Sequence, residues 1–134
     1  MSRLILDTSA YSQFKRGHAD AVEALAHASW VGVPVIVLGE LRAGFAAGKR
    51  AATNTKELAQ FLQHPVVEVL SIDDEAAQIW SEIVVALRRA GTPLPTNDLW
   101  IAALAAQSGA PVLTYDAHFE KIERIGVRRL HALT

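Results

Sequence analysis

The sequence predicts a three-layer α/β domain built around a mostly parallel sheet. Three observations carry that prediction. Short apolar β-rich runs alternate with segments of helical periodicity from one end of the chain to the other. The 134 residues suffice for one domain with a real core, taken here as residues 1–134, and are too few for two comfortable ones. Half of the chain, 51%, is hydrophobic, which excludes a disordered tail.

The elements follow in order. "RLIL" (Arg3 to Leu6) is too short for a helix and reads as a buried strand stopping at Asp7. "TSAYSQF" turns into a short helix with Thr8 or Ser9 as its cap. His18 to Ser29 has helical periodicity, with Val22, Leu25 and Ala26 on one face. "WVGVPV" (Trp30 to Val35) contains the second strand. Its Pro34 forbids a ladder donor but suits the first turn of a following helix. That helix carries "IVLGELRAGFAAG" and stops near Gly48, although "VIVL" alone resembles a strand. "AATNTKELAQFLQH" is another helix, ended by Pro65, and Val66 to Leu70 is the third strand. "SIDDEAAQIWSEIVVALRRAG" is a helix with Asp73 and Asp74 at its start, Arg88 and Arg89 at its end and Gly91 beyond, the charge order the helix dipole favours. After the Pro-broken "TPLPT", "NDLWIAALAAQSG" is a helix closed by Gly109. "PVLTY" is strand four, "AHFEKIERIG" a short helix or turn, and "VRRLH" a last strand.

Composition excludes several functions. There are no cysteines, so disulfides, thiolate catalysis and Cys-based zinc sites are out, and a reducing cytoplasm is the default location. No apolar run approaches the ~20 residues of a membrane span, and no signal peptide is visible at "MSRLILDTS". Net charge is −1, so an anionic substrate must be held by a local basic patch or through a metal.

Most acidic residues, among them Glu23, Glu57, Glu75, Glu82, Glu120 and Glu123, read as solvated helix faces. Four differ by position. Asp7 directly follows strand one and Asp116 follows strand four. Ligands in open parallel sheets bind outside the carboxyl ends of strands, and each Asp serves equally as a turn or cap. Glu40 has Ile36, Val37, Ala43 and Gly44 as same-face neighbours and interrupts a stripe expected to face the core. A buried carboxylate there needs a proton, a basic partner or a metal; the alternative is a half-exposed Glu at the stripe's edge. Asp98 opens its helix behind two capable caps, Thr96 and Asn97. Brought together, the four would repel, and a hard divalent cation such as Mg²⁺ or Mn²⁺ resolves the repulsion. Ions so held typically serve phosphate chemistry.

"LILDTSAY", "GELRAG", "NDLWIAALAAQSG" and "VLTYDAHFEKI" together resemble the successive signatures of the PIN domain, and more narrowly the VapC-type ribonuclease toxins of bacterial toxin–antitoxin pairs. The similarity runs from Arg3 to about Leu130. It implies a sheet of five parallel strands ordered 3-2-1-4-5 and an acidic pocket of Asp7, Glu40, Asp98 and Asp116. It further implies supporting roles for Thr8, Ser9, Asn97 and Thr114, and metal-dependent RNA hydrolysis, usually as a homodimer, blocked by the C-terminal segment of a cognate antitoxin. On this reading Asp7 and Asp98 are the principal ligands of Mg²⁺ or Mn²⁺. Asp116 and Glu40 complete the site directly or through water, one of them as general base. Lys15, Arg16, Arg42, Lys49 and Arg50 are candidate phosphate contacts that position the RNA backbone without reading sequence; individually each reads better as ordinary solvated surface. His118, near Asp116, is a substrate contact or a surface histidine. Tyr11 and Phe14 line an antitoxin groove or join the core. Trp100 is read as packing.

Rival motifs fail on their own terms. "GFAAGKR" has three residues between its glycines where a phosphate loop has four, and lacks the Ser or Thr after Lys. Ser9 stands where a haloacid-dehalogenase-like phosphatase wants a second Asp, a receiver domain wants an acidic pair near Asp7, and there is no Gly-x-Ser-x-Gly. The rival from another class is the same fold acting only as an RNA- or protein-binding scaffold.

Overall fold

In the computed structural model, which describes residues 2–131, a five-stranded sheet runs in the order β3-β2-β1-β4-β5 with every neighbouring pair parallel. The strands are β1 (Ser2–Leu6), β2 (Ala28–Pro34), β3 (Val67–Leu70), β4 (Val112–Thr114) and β5 (Val127–Arg129). The helices are α1 (Thr8–Lys15), α2 (Ala19–Ala26), α3 (Val35–Ala47), α4 (Ala51–Leu62), α5 (Asp74–Arg89) and α6 (Thr96–Ser108), with a 3-10 turn at Ala117–Lys121.

The burial pattern explains why these runs became strands. Leu4, Ile5 and Leu6 of β1 and Val112 and Leu113 of β4 are almost wholly buried, as expected of central parallel strands covered on both faces. The edge strands β3 and β5 are half-exposed. Ile5 pairs with Val112 and Leu6 with Leu113, so the residues that follow, Asp7 and Thr114, emerge side by side. The order reverses beside β1: the chain steps outward through β2 and β3, then returns to lay β4 on the other edge of β1. That is the switch point at which such sheets form sites.

Some boundaries moved. The second helix ends at Ala26, because Ala28 and Ser29 already belong to β2. Its buried residues are Ala21 and Ala24, while Val22 is 40% exposed. The small alanines let α2 lie close to the sheet and turn the larger valine outward. "VIVL" is helical. Pro34 ends β2 and precedes α3 in an extended conformation, and Val37, Leu38 and Leu41 then recur at helical spacing on the buried face. Neither Thr8 nor Ser9 caps α1. Asp7 does, its carboxylate accepting from the Ala10 N–H at 2.8 Å. Thr96 and Asn97 do not cap α6 either. Both lie inside its first turn behind Pro95, with no side-chain cap bond.

α6 is apolar nearly all round because it is buried nearly all round. Leu99, Ile101, Ala102, Ala103, Leu104 and Ala105 are all in the core. Gly109 ends it at φ 67, a left-handed conformation that favours glycine. At its start, Trp100 stacks on Trp80 of α5 with ring centroids 4.9 Å apart and planes 17° apart, which makes Trp100 a packing residue. At its end, the Gln107 amide donates to Asp73, the N-cap of α5, at 3.0 and 3.1 Å. This helix therefore carries Asp98 on a rigid mount.

Candidate active site

Asp7 is the best-held acid. It is 4% exposed. Ser9 Oγ donates within reach of both its oxygens (2.8 and 3.0 Å), the Ala10 N–H to Oδ1, and Thr114 Oγ1 to Oδ2 at 2.5 Å. The two hydroxyls are themselves fixed: Ser9 Oγ accepts from the Tyr115 N–H at 3.0 Å and Thr114 Oγ1 from the Asp116 N–H at 2.9 Å. Beyond Tyr115 the clamp continues, since its hydroxyl meets His18 Nδ1. The start of α1 and the end of β4 are thus laced together around one carboxylate. Burial pushes Asp7 from 3.8 up to about 6 against the pull of the Thr114, Ala10 and Ser9 hydrogen bonds, and the charge of Asp116 adds to the rise.

Glu40 is half-buried on α3, with Val37 on the buried face but Ala43 and Gly44 exposed. It therefore stands at the edge of the apolar stripe, not inside it as its neighbours suggested. Thr8 Oγ1 donates to Glu40 Oε1 at 2.7 Å, which ties α3 to the residue beside Asp7.

Asp98 and Asp116 meet through a residue that the sequence left undecided. His118 Nδ1 lies 2.9 Å from Asp98 Oδ2 and 3.2 Å from Asp116 Oδ1. Asp116 caps the 3-10 turn by accepting from the His118 N–H at 2.8 Å, and that tight turn brings the imidazole back over the carboxylate. With its proton on Nδ1, His118 donates to Asp98 and holds two like charges at a common position. The Asp-x-His spacing ahead of buried Phe119 was the available signal, but it means little without knowing that α6 arrives opposite. Burial raises Asp98 above the ordinary carboxylate range; the His118 bond opposes this, and the charges of Asp116 and Glu40 add to it.

These shifts record one electrostatic cluster: Asp116 acts on Asp7, and both Asp116 and Glu40 act on Asp98. Ligand atoms of Asp98, Asp116 and His118 all lie within 4.8 Å of one another, close enough to share one ion. Asp7 and Glu40 lie outside that tightest group. A donor set of carboxylate oxygens with one imidazole, carrying more negative charge than its single histidine can offset, fits a divalent cation such as Mn²⁺ or Mg²⁺.

The supporting residues divide. Thr8, Ser9 and Thr114 bond to the acids, whereas Asn97 is exposed in the first turn of α6. Of the basic candidates, Lys15, Arg16 and Arg50 line one cleft of about 420 Å³, while Arg42 and Lys49 are exposed outside it. Tyr11 is buried and Phe14 half-buried, and both rings pack on Phe61, while Phe14 also lines an apolar groove on the helical layer.

Five parallel strands in this order, with acids at the ends of β1 and β4, narrow the choice of fold family. The PIN domain matches residues 4–125. The chain belongs to the PIN domain family. Within that family it is 34% identical over 119 residues to "Ribonuclease VapC5" of Mycobacterium tuberculosis, covering 89% of this chain and 87% of that one. It is 35% identical over 127 residues to "Ribonuclease VapC4" of the same organism, covering 93% and 95%. Among solved structures, DNA-bound VapBC from Salmonella typhimurium superposes with a TM-score of 0.83 at 28% identity, covering 96% of this PIN domain chain and 98% of that one.

Proposed function

We propose that this PIN domain protein is a metal-dependent endoribonuclease that hydrolyses RNA phosphodiester bonds and acts as the toxin of a toxin–antitoxin pair. The observation that carries the reading is the coupled acidic cluster gathered at the ends of two adjacent parallel strands, with Asp7 held in it by the hydroxyls of Ser9 and Thr114. Relatives named as VapC ribonucleases support the activity, and a DNA-bound VapBC neighbour supports an antitoxin partner. The protein acts in the cytoplasm, as a homodimer. Among the described residues no helix is long and apolar enough to cross a membrane.

Asp98, Asp116 and His118 would hold the cation, with Asp7 and Glu40 completing its surroundings directly or through water. A cation bound there would supply polarisation of the phosphoryl oxygens and a lowered pKa for water. The chain's own contribution is positional. Ser9 and Thr114 fix Asp7, Thr8 fixes Glu40, and His118 aligns Asp98 with Asp116. Water oxygen bonds to phosphorus and the bond to the 3′ oxygen breaks. A carboxylate of the cluster takes the water's proton, and the leaving 3′ oxygen takes a proton from solvent water, giving a 3′-hydroxyl opposite a 5′-phosphate. No protein nucleophile is needed, in keeping with a chain that has no cysteine.

The test is cleavage of total RNA by the purified protein with Mg²⁺ or Mn²⁺ and with chelator. Cleavage is expected only with metal, and Asp98→Asn is expected to lose it by at least two orders of magnitude. If Asp98→Asn cleaves as well as the parent, the metal site is wrong. A parent that cleaves nothing across metals and RNAs favours the scaffold instead.

A further inference from the structure

The acidic cluster repels the polyanion it is proposed to cut, and a net charge of −1 gives no global attraction. The compensation must be local. The cleft between α1, α3 and α4 gathers Lys15, Arg16 and Arg50 with the polar side chains of Ser12 and Asn54. It also adjoins the acids. Thr8 and Ser12 lie one turn apart on the same face of α1; Thr8 bonds to Glu40, and Ser12 lines the cleft. From Thr8 to Lys15 the helix rises about 10 Å, a distance a single RNA strand covers in a few nucleotides.

Not all three cations are available. Lys15 Nζ is 3.0 Å from Glu57 Oε2, which fixes the ammonium on one wall and offsets its charge. Arg16 and Arg50 have no ion-pair partner among the described residues, and both are exposed. A guanidinium forks onto two phosphate oxygens and is more weakly hydrated than an ammonium, so it suits this role. Tyr11, also on the cleft wall, holds a hydroxyl that is buried and has no hydrogen-bond partner in the structure.

We propose that this cleft is a phosphodiester subsite, in which Arg16 and Arg50 grip backbone phosphates of single-stranded RNA flanking the bond to be cut. The inference rests on the ribonuclease reading for its substrate. An antitoxin helix is the poorer occupant. On the other side of α1 lies an almost wholly apolar groove of about 280 Å³ that includes Phe14, Val22, Leu25 and Phe61, and an amphipathic helix would choose that one.

The experiment measures binding of a fluorescein-labelled, mixed-sequence single-stranded RNA by anisotropy across a salt series, in the Asp98→Asn background so that the probe survives. Paired Arg16→Ala and Arg50→Ala should flatten the slope of log affinity against log salt by about 1.4, two phosphate contacts at about 0.7 each. The charge-matched pair Arg88→Ala and Arg89→Ala on α5 should leave the slope unchanged. Equal melting temperatures establish that each variant is folded. A slope identical to the parent's overturns the inference while leaving the nuclease reading intact. If the slope flattens as expected but the parent cleaves no RNA, the subsite stands and the nuclease reading falls. If the parent binds no RNA at all, both fall.

Discussion

Replacing Asp7 with Asn should stabilise the metal-free protein, and the gain should depend on pH in a defined way. The carboxyl sits at about 6 in the folded chain against 3.8 for an ordinary Asp, about two units, or about 3 kcal/mol. Its folded value lies above its unfolded one, so the folded state holds the proton more tightly. The favourable contribution is complete below about pH 4 and is lost as pH rises through about 6. Above that, the folded protein carries a buried charge that Asn lacks. Asn can still accept from the Ala10 N–H and can donate to Ser9 or Thr114. The stability difference between Asp7→Asn and the parent should therefore be near zero at pH 4 and grow to about 3 kcal/mol by pH 7.5. The assay is urea denaturation of both proteins at several pH values in chelator, since a cation bound by the folded state alone would mask the effect. Comparing the two proteins at each pH cancels groups that titrate alike in both. A difference that stays flat with pH, or an Asn variant less stable at pH 7.5, refutes the argument that burial dominates this carboxylate. The same variant should lose RNA cleavage.

Thr114→Val removes the donor to Asp7 Oδ2 and the acceptor of the Asp116 N–H, at a cost of about 1–3 kcal/mol. Because the lost bond favours the charged form of Asp7, chemical denaturation should register a larger loss at pH 7.5 than at pH 5. Gly32→Ala tests the packing beneath β2. Its new Cβ would stand 2.5 Å from Trp30 Cη2, 2.8 Å from Leu70 Cδ1 and 2.9 Å from Ile5 Cδ1. The clash should cost about 1–3 kcal/mol, read as a melting temperature lower by several degrees.

The sequence revealed most of this molecule wherever one physical demand dominated. Buried parallel strands must be apolar, so "LIL" and "VL" stood out, and Asp7 directly after the first and Asp116 two residues beyond "VLT" marked the carboxyl ends of the sheet. The sheet order came from the ordered set of motifs, since no apolar run names its neighbour. Legibility failed where two demands compete for one residue. Asp7 is both the cap of α1 and a cluster acid; reading these as alternatives moved the cap to Thr8 or Ser9, whose hydroxyls are instead spent on Glu40 and Asp7. Glu40 was noticed for the right reason, an acid against apolar neighbours, but Ala43 and Gly44 face solvent because the stripe on α3 runs through Val37, Leu38 and Leu41. His118 was opaque because its partner Asp98 lies twenty residues earlier, on another element.

The bond between Thr114 and Asp7 joins residues 107 positions apart, and this separation governs when the site can exist. A chain still being synthesised has Asp7 and Glu40 early but lacks β4, and with it the hydroxyl and strand end that complete the cluster. Until the chain through His118 has emerged, β1 has no partner on that edge and Asp98 has neither Asp116 nor His118 opposite it. Translation therefore acts as a timer. The assembled cluster, and any chemistry it performs, waits for residues 112–118 to dock against β1 and α6.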